Sequence, residues 1–345
     1  MTDISTPLLP WYRKHGRHDL PWQKRKTGYR VWVSEIMLQQ TQVKTVIPYY
    51  QRFMKRFPSL AALAEAPQDD VLQHWAGLGY YARARNLHKA AQAIMSEHNG
   101  RFPQQVEALV ALPGIGDSTA AAIVSFAYGQ SACILDGNVK RVLTRFYAIS
   151  GDPNKSELKN ELWEIARHNT PADNCHEYNQ AIMDLGATCC TRTRPNCHSC
   201  PLQASCKAFQ MGTPTAFPDK SAPIKQKTVQ LQLLLLRHED RIALIKRPAP
   251  GIWGGLWCLP DCESPSKISA WLKEHRLQVS AQQSFSRFTH QLSHRLLEID
   301  VELIDVKKAA DGFEWVAIDE QERYGVPKPV KKVWQQLQKD YASLL

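Results

Sequence analysis

The chain has 345 residues, 43% of them hydrophobic, and a formal net charge of +10 with a pI near 9.1. That length allows about two domains with sizeable cores, and ordinary Gly and Pro contents argue against a disordered or collagen-like chain. The longest aliphatic run, Leu233 to Leu236, is far too short for a transmembrane helix, and no secretory leader is expected in Met1 to Pro10.

The first sixty residues hold eleven Lys and Arg against three Asp and Glu. Such a local surplus favours a polyanionic partner, because each phosphate neutralised releases counterions. Up to about residue 200 the apolar spacing is helical, broken at Arg56-Phe57-Pro58 and Arg101-Phe102-Pro103. Val106 to Leu112, then Pro113-Gly114-Ile115-Gly116, then Thr119 to Tyr128 predicts helix, tight hairpin, helix. Asp117 is expected to cap the second helix. Residues 213–227 form a Pro- and Lys-rich linker. Beyond it, Glu298, Asp300 and Glu302 alternate with Ile299, Val301 and Leu303, the period of a strand. A final helix from Pro329 carries Val330, Val333, Trp334, Leu337 and Tyr341 on one stripe. The domains are therefore a helical one over 1–212 (hairpin about 106–128), a linker over 213–227 and an α+β one over 228–345.

Cys190, Cys197, Cys200 and Cys206 follow intervals of six, two and five residues. Thiolates at such spacing let one short loop wrap a compact metal centre. Structural zinc usually takes two close pairs, and only one is present, although zinc or free thiols stay open on spacing alone. Nine cysteines without a leader suit a reducing compartment, and the expected location is the cytoplasm. Glu35 has Val31, Trp32 and Leu38 among its one-turn helical neighbours. Desolvation there raises a carboxyl pKa and keeps a proton available near neutrality.

Taken together, these motifs resemble the endonuclease III, or helix–hairpin–helix, superfamily of DNA glycosylases. Glu35 followed by Leu38-Gln39-Gln40-Thr41-Gln42 is similar to the MutY-type adenine glycosylases in particular. The resemblance implies two helical lobes with a cleft, and a [4Fe–4S] loop over 190–206 held by Cys190, Cys197, Cys200 and Cys206. The superfamily interval selects Cys190 rather than its neighbour Cys189. It also implies that Glu35 protonates a flipped adenine and that Asp136, twenty residues after Gly116, stabilises the sugar cation. Gly114, Gly116, Ser118 and Asn138 are expected at the DNA. Ser118 stands where strand-cutting relatives carry a lysine, which implies a monofunctional enzyme. Gln40 is placed to fill the base stack and Tyr80 to wedge beside an oxidised guanine.

Arg247-Pro248 and Gly251-Ile252-Trp253-Gly254-Gly255-Leu256-Trp257 resemble the start of a Nudix fold. Cys258 to Val279 holds only Glu263 and Glu274, so the magnesium-binding pattern of the pyrophosphatases is missing. By resemblance, Ser293 and His294 read 8-oxoguanine, with Leu292 replacing the commoner aromatic. The implied activity is base excision repair of A:8-oxoG or A:G mispairs in double-stranded DNA by a monomer. Alternatives are an endonuclease III-like glycosylase/lyase for oxidised pyrimidines, a non-catalytic iron–sulfur damage sensor and a nucleotide pyrophosphatase.

Overall fold

The computed structural model describes residues 3–219 and 226–342. Two compact units emerge: Met1–Glu65 with Asn86–Ala222, and Ala66–Arg85 with Pro223–Leu345. Part of the expected linker, 220–225, lies outside the described residues.

The first unit contains α1 (Ser5–His15), α2 (Gly28–Leu38), α3 (Val43–Arg56) and α4 (Leu60–Glu65). After the excursion described below, most of α6 (Ala82–Glu97) returns to it, followed by α7 (Val106–Val110), α8 (Asp117–Tyr128), α9 (Gly137–Tyr147), α10 (Ser156–Asn169), α11 (Cys175–Asp184) and α12 (Lys207–Gln210). Every residue from Ala120 to Phe126 of α8 is buried, so this helix is a central post. The runs of Ala and other small side chains allow α2 to pack along it. Between α7 and α8 the chain reverses at Gly114, whose φ of +79° favours glycine. A Cβ at Gly114 would also lie 2.8 Å from that of Asn86. Gly116, not Asp117, is the residue before the first turn of α8, and no side chain caps that end. Asp117 instead occupies the first helical position, where its charge suits the helix dipole.

The second unit is built on one sheet with strand order β3-β2-β1-β6-β5. Its strands are β1 (Lys227–His238), β2 (Arg241–Lys246), β3 (Trp257–Cys258), β4 (Asp261–Cys262), β5 (Val279–Gln291), β6 (Arg295–Val306) and β7 (Glu314–Ala317). β4 pairs with β1, and β7 with β2. β1 and β6 run parallel at the centre, from Lys227 beside Arg295 to Arg237 beside Asp305. Leu231 to Leu236 are all buried, as befits a central strand covered on both faces. One apolar cluster joins Leu234, Leu236 and Ile304 to Ile268 and Leu272 of α13 (Ile268–Glu274). The expected alternation on β6 is present, with Leu297, Ile299, Val301 and Leu303 buried. So is the terminal helix, α14 (Lys328–Ala342), which buries Val330, Val333, Trp334 and Leu337.

Residues 66–85, including α5 (Gln68–Trp75), pack with the sheet although they lie inside the helical sequence. Glycines make the close approach possible: a Cβ on Gly325 would stand 2.9 Å from the Gln73 amide nitrogen, and one on Gly255 3.1 Å from Leu72. Lys246 pairs with Asp69 at 2.5 Å, and Arg85 donates to the Gly254 carbonyl at 2.5 Å.

Candidate active site and cysteine loop

α2 begins at Thr27, whose hydroxyl accepts the Arg30 amide, and it carries Glu35 on a face shared with buried Val31, Trp32 and Met37. Enclosure by these groups pushes the Glu35 carboxyl up to about 7, and the negative charge of Asp136 adds to the rise. The two carboxylates, a hundred residues apart, therefore share one electrostatic site. The first turn of α8 connects them. Gln39, just past α2, donates to the Thr119 hydroxyl at 3.4 Å, and Ser118 accepts the Leu135 amide at 3.3 Å. The Ser118 hydroxyl thus anchors the segment that ends in Asp136.

Asp136 caps α9. One oxygen accepts the amides of Asn138 (2.9 Å) and Val139 (2.7 Å), and the other accepts the Asn138 side-chain amide at 2.9 Å. Burial raises its pKa, while these donors and Arg141 oppose the rise. Fixed N–H dipoles and a helix N-terminus orient the carboxylate without neutralising it. Lys140 lies close enough to feel Asp136; burial and Lys159 lower its pKa, and its ammonium reaches Asn154 at 3.2 Å.

Asn138 is engaged inside the protein at both ends of its amide, because its oxygen accepts Arg141 at 2.8 Å. Arg141 continues to the carbonyls of Gly186 (2.6 Å) and Cys190 (2.8 Å). One hydrogen-bonded path therefore runs from Asp136 to the cysteine loop. Gly186 seats it: a Cβ there would lie 2.7 Å from that of Asn138. Sequence reasoning singled out Asn138 for DNA contact and overlooked Arg141.

Cys190, Cys197, Cys200 and Cys206 surround one small cavity with Arg145, Pro195, Asn196 and Phe209. A single metal ion draws thiolates to about 2.3 Å from a common point, and no three candidate ligands among the described residues converge in that way. A ring of four sulfurs around a cavity instead fits a polynuclear group. Arg145, only 2% exposed, strengthens the fit. Its guanidinium donates to the carbonyls of Cys190, Thr191, Arg192 and Phe217, and one nitrogen lies 3.3 Å from the Cys190 sulfur. A buried cation beside a thiol favours its thiolate form. Exposed Arg192, Arg194, His198 and Lys207 surround the loop with positive charge.

In the second unit the β5–β6 hairpin turns at residues 292–294, closed by the Leu292 amide on the Arg295 carbonyl at 2.8 Å. Ser293 and His294 are exposed there, and the Ser293 hydroxyl hydrogen-bonds that of Tyr80. Tyr80 has φ of +50° and is 42% exposed. Beneath its ring lies the Arg83 guanidinium, 5.3 Å from the ring centre, with the buried Trp75 indole 5.4 Å away on Arg83 as well. Arg83 and Trp75 both donate to the Gly79 carbonyl at 3.2 Å, fixing the turn that presents Tyr80. Gln40, at φ +55°, is exposed in the break between α2 and α3.

The model of the HhH-GPD superfamily of base excision DNA repair proteins matches residues 33–168, and a NUDIX domain model matches 232–336. An adenine DNA glycosylase of Buchnera aphidicola subsp. Acyrthosiphon pisum (strain APS) is 39% identical over 346 residues, covering 98% of each chain. One from Rattus norvegicus is 35% identical over 402 residues, covering 97% of this chain and 78% of its own. The solved structure of a thermostable thymine-DNA glycosylase is 26% identical with a TM-score of 0.56, covering 60% of this chain and 95% of that one. The class is thus a helix–hairpin–helix DNA N-glycosylase fused to a Nudix-like domain. Within it, the chain belongs to the MutY-type adenine DNA glycosylase family of base excision repair.

Proposed function

We propose that this enzyme is a monofunctional, monomeric adenine glycosylase that acts on A:8-oxoG and A:G mispairs in double-stranded DNA. The observation that carries the reading is the pairing of Glu35, protonated near neutrality, with a charged Asp136 locked at the cap of α9. Glu35 donates its proton to a ring nitrogen of the flipped adenine. The C1′–N9 bond then breaks, its electron pair leaves with the base, and Asp136 stabilises the cation left on the sugar. The Glu35 carboxylate next takes a proton from a water whose oxygen bonds C1′. Ser118 cannot form an imine with the sugar, and its hydroxyl is engaged with the Leu135 amide.

The exposed Gly114–Gly116 turn and the uncapped start of α8 offer amides to a phosphate. Gln40 fills the stack, while Tyr80, Ser293 and His294 read the oxidised guanine. Asn138 serves the site chiefly by holding Asp136. Cys190, Cys197, Cys200 and Cys206 hold a [4Fe–4S] cluster, which supplies a rigid cross-link and, with four protein ligands, no open iron for hydrolysis. Single-turnover assays on duplexes with adenine opposite 8-oxoguanine, adenine opposite guanine and an oxidised pyrimidine test this. Adenine release without strand cleavage is expected; excision of only the pyrimidine would establish the endonuclease III-like alternative.

A further inference from the structure

Cys189 also lines the cysteine cavity, a fifth thiol that the loop spacing does not use. It ends a single π-helical turn over Leu185–Cys189 and is 6% exposed. Its surroundings differ from those of Cys190. Arg145 donates toward the Cys190 sulfur at 3.3 Å, whereas Cys189 is itself a donor, to the Asn196 carbonyl at 3.2 Å. The Cys189 thiol also lies within hydrogen-bonding reach of the Cys200 sulfur. The cavity thus holds a protonated spare thiol directly beside one of the four expected ligands, already desolvated and in line with the same space.

We propose that Cys189 is a reserve ligand for the position of Cys200. When Cys200 is lost, the Cys189 thiol gives its proton to solvent, and its thiolate bonds the iron that Cys200 would have held. Four thiolate ligands and the net charge are thereby retained. Neighbouring Cys190 is a poorer candidate for replacement, because Arg145 and the chain direction hold its sulfur apart from that contact. The inference rests on the reading of this loop as cluster-binding.

The test compares the full-length chain as wild type, Cys189→Ser, Cys200→Ser, Cys189→Ser/Cys200→Ser and Cys206→Ser. Iron and sulfide per chain, visible absorption and yield of soluble protein are measured for each. Wild type, Cys189→Ser and Cys200→Ser are expected to keep most of their iron, and the double variant and Cys206→Ser to lose it. Cys200→Ser as empty, or as insoluble, as the double variant would overturn the proposal. Wild type purified anaerobically without iron would instead defeat the cluster reading itself.

Discussion

Glu35 is an acid whose environment sets its proton. Its folded pKa of about 7 lies above the ordinary 4.5 because charge is disfavoured among Val31, Trp32 and Met37 and beside Asp136. Two consequences follow with defined signs. Single-turnover adenine release should fall as pH rises above about 7, and fall again at acid pH as Asp136, also raised, takes up a proton. A raised carboxyl pKa means that the folded chain binds the extra proton, so stability declines between pH 4.5 and 7 and the full penalty persists above. Glu35→Gln should therefore raise Tm at pH 8, by at most about 3 kcal/mol of stability, and leave it little changed at pH 4. Equal Tm shifts at both pH values would argue against a buried, shifted carboxyl. The apolar neighbours of Glu35 were legible because helical spacing alone places them. The Asp136 assignment came through family likeness, since an Asp before Gly137 reads equally well as a turn. Arg141 and Arg145 were not legible, because no local pattern tells which arginines of a basic chain fold inward.

At the level of elements, the start of α9 is the part on which the site depends. Asp136 caps it, Asn138 and Arg141 tie it to the cysteine loop, and Gly186 leaves room for Asn138. Gly186→Ala should push Asn138 aside and slow excision by roughly 10²-fold, the scale for losing preorganised donors around a transition-state charge, while iron content stays normal. Unchanged rates would separate this path from catalysis. The stacked Tyr80–Arg83–Trp75 group is a second such device. Lysine lacks the planar face that stacks on both rings, so Arg83→Lys should lower the preference for A:8-oxoG over A:G as far as Tyr80→Ala does, and the double variant should add nothing further. Additive losses in this cycle would show that Arg83 acts elsewhere. The helices, the hairpin and β6 were readable from periodicity and glycine placement. The docking of residues 66–85 on the sheet was not, because it depends on backbone contacts at Gly255 and Gly325 more than two hundred residues away in two of three cases.

Across the whole molecule, chemistry and recognition fall in separate compact units. Glu35, Asp136 and the cysteine loop lie in the first, and Tyr80, Ser293 and His294 in the second. Ser293→Ala/His294→Ala should therefore cost discrimination more than catalysis, reducing activity on A:8-oxoG duplexes toward that on A:G. Proportional losses on both substrates would refute that division. The order of motifs along the chain made the two-domain plan legible, and the matches over 33–168 and 232–336 agree with it. The central claim is that two carboxylates act together on one extruded nucleotide. It is tested most directly by single-turnover adenine release from an A:8-oxoG duplex by Asp136→Asn, with duplex affinity measured alongside. The expected result is a loss of about 10²–10³-fold or more in rate, the scale of removing a transition-state charge partner, with affinity largely retained. A near-normal rate at saturating enzyme would contradict the account.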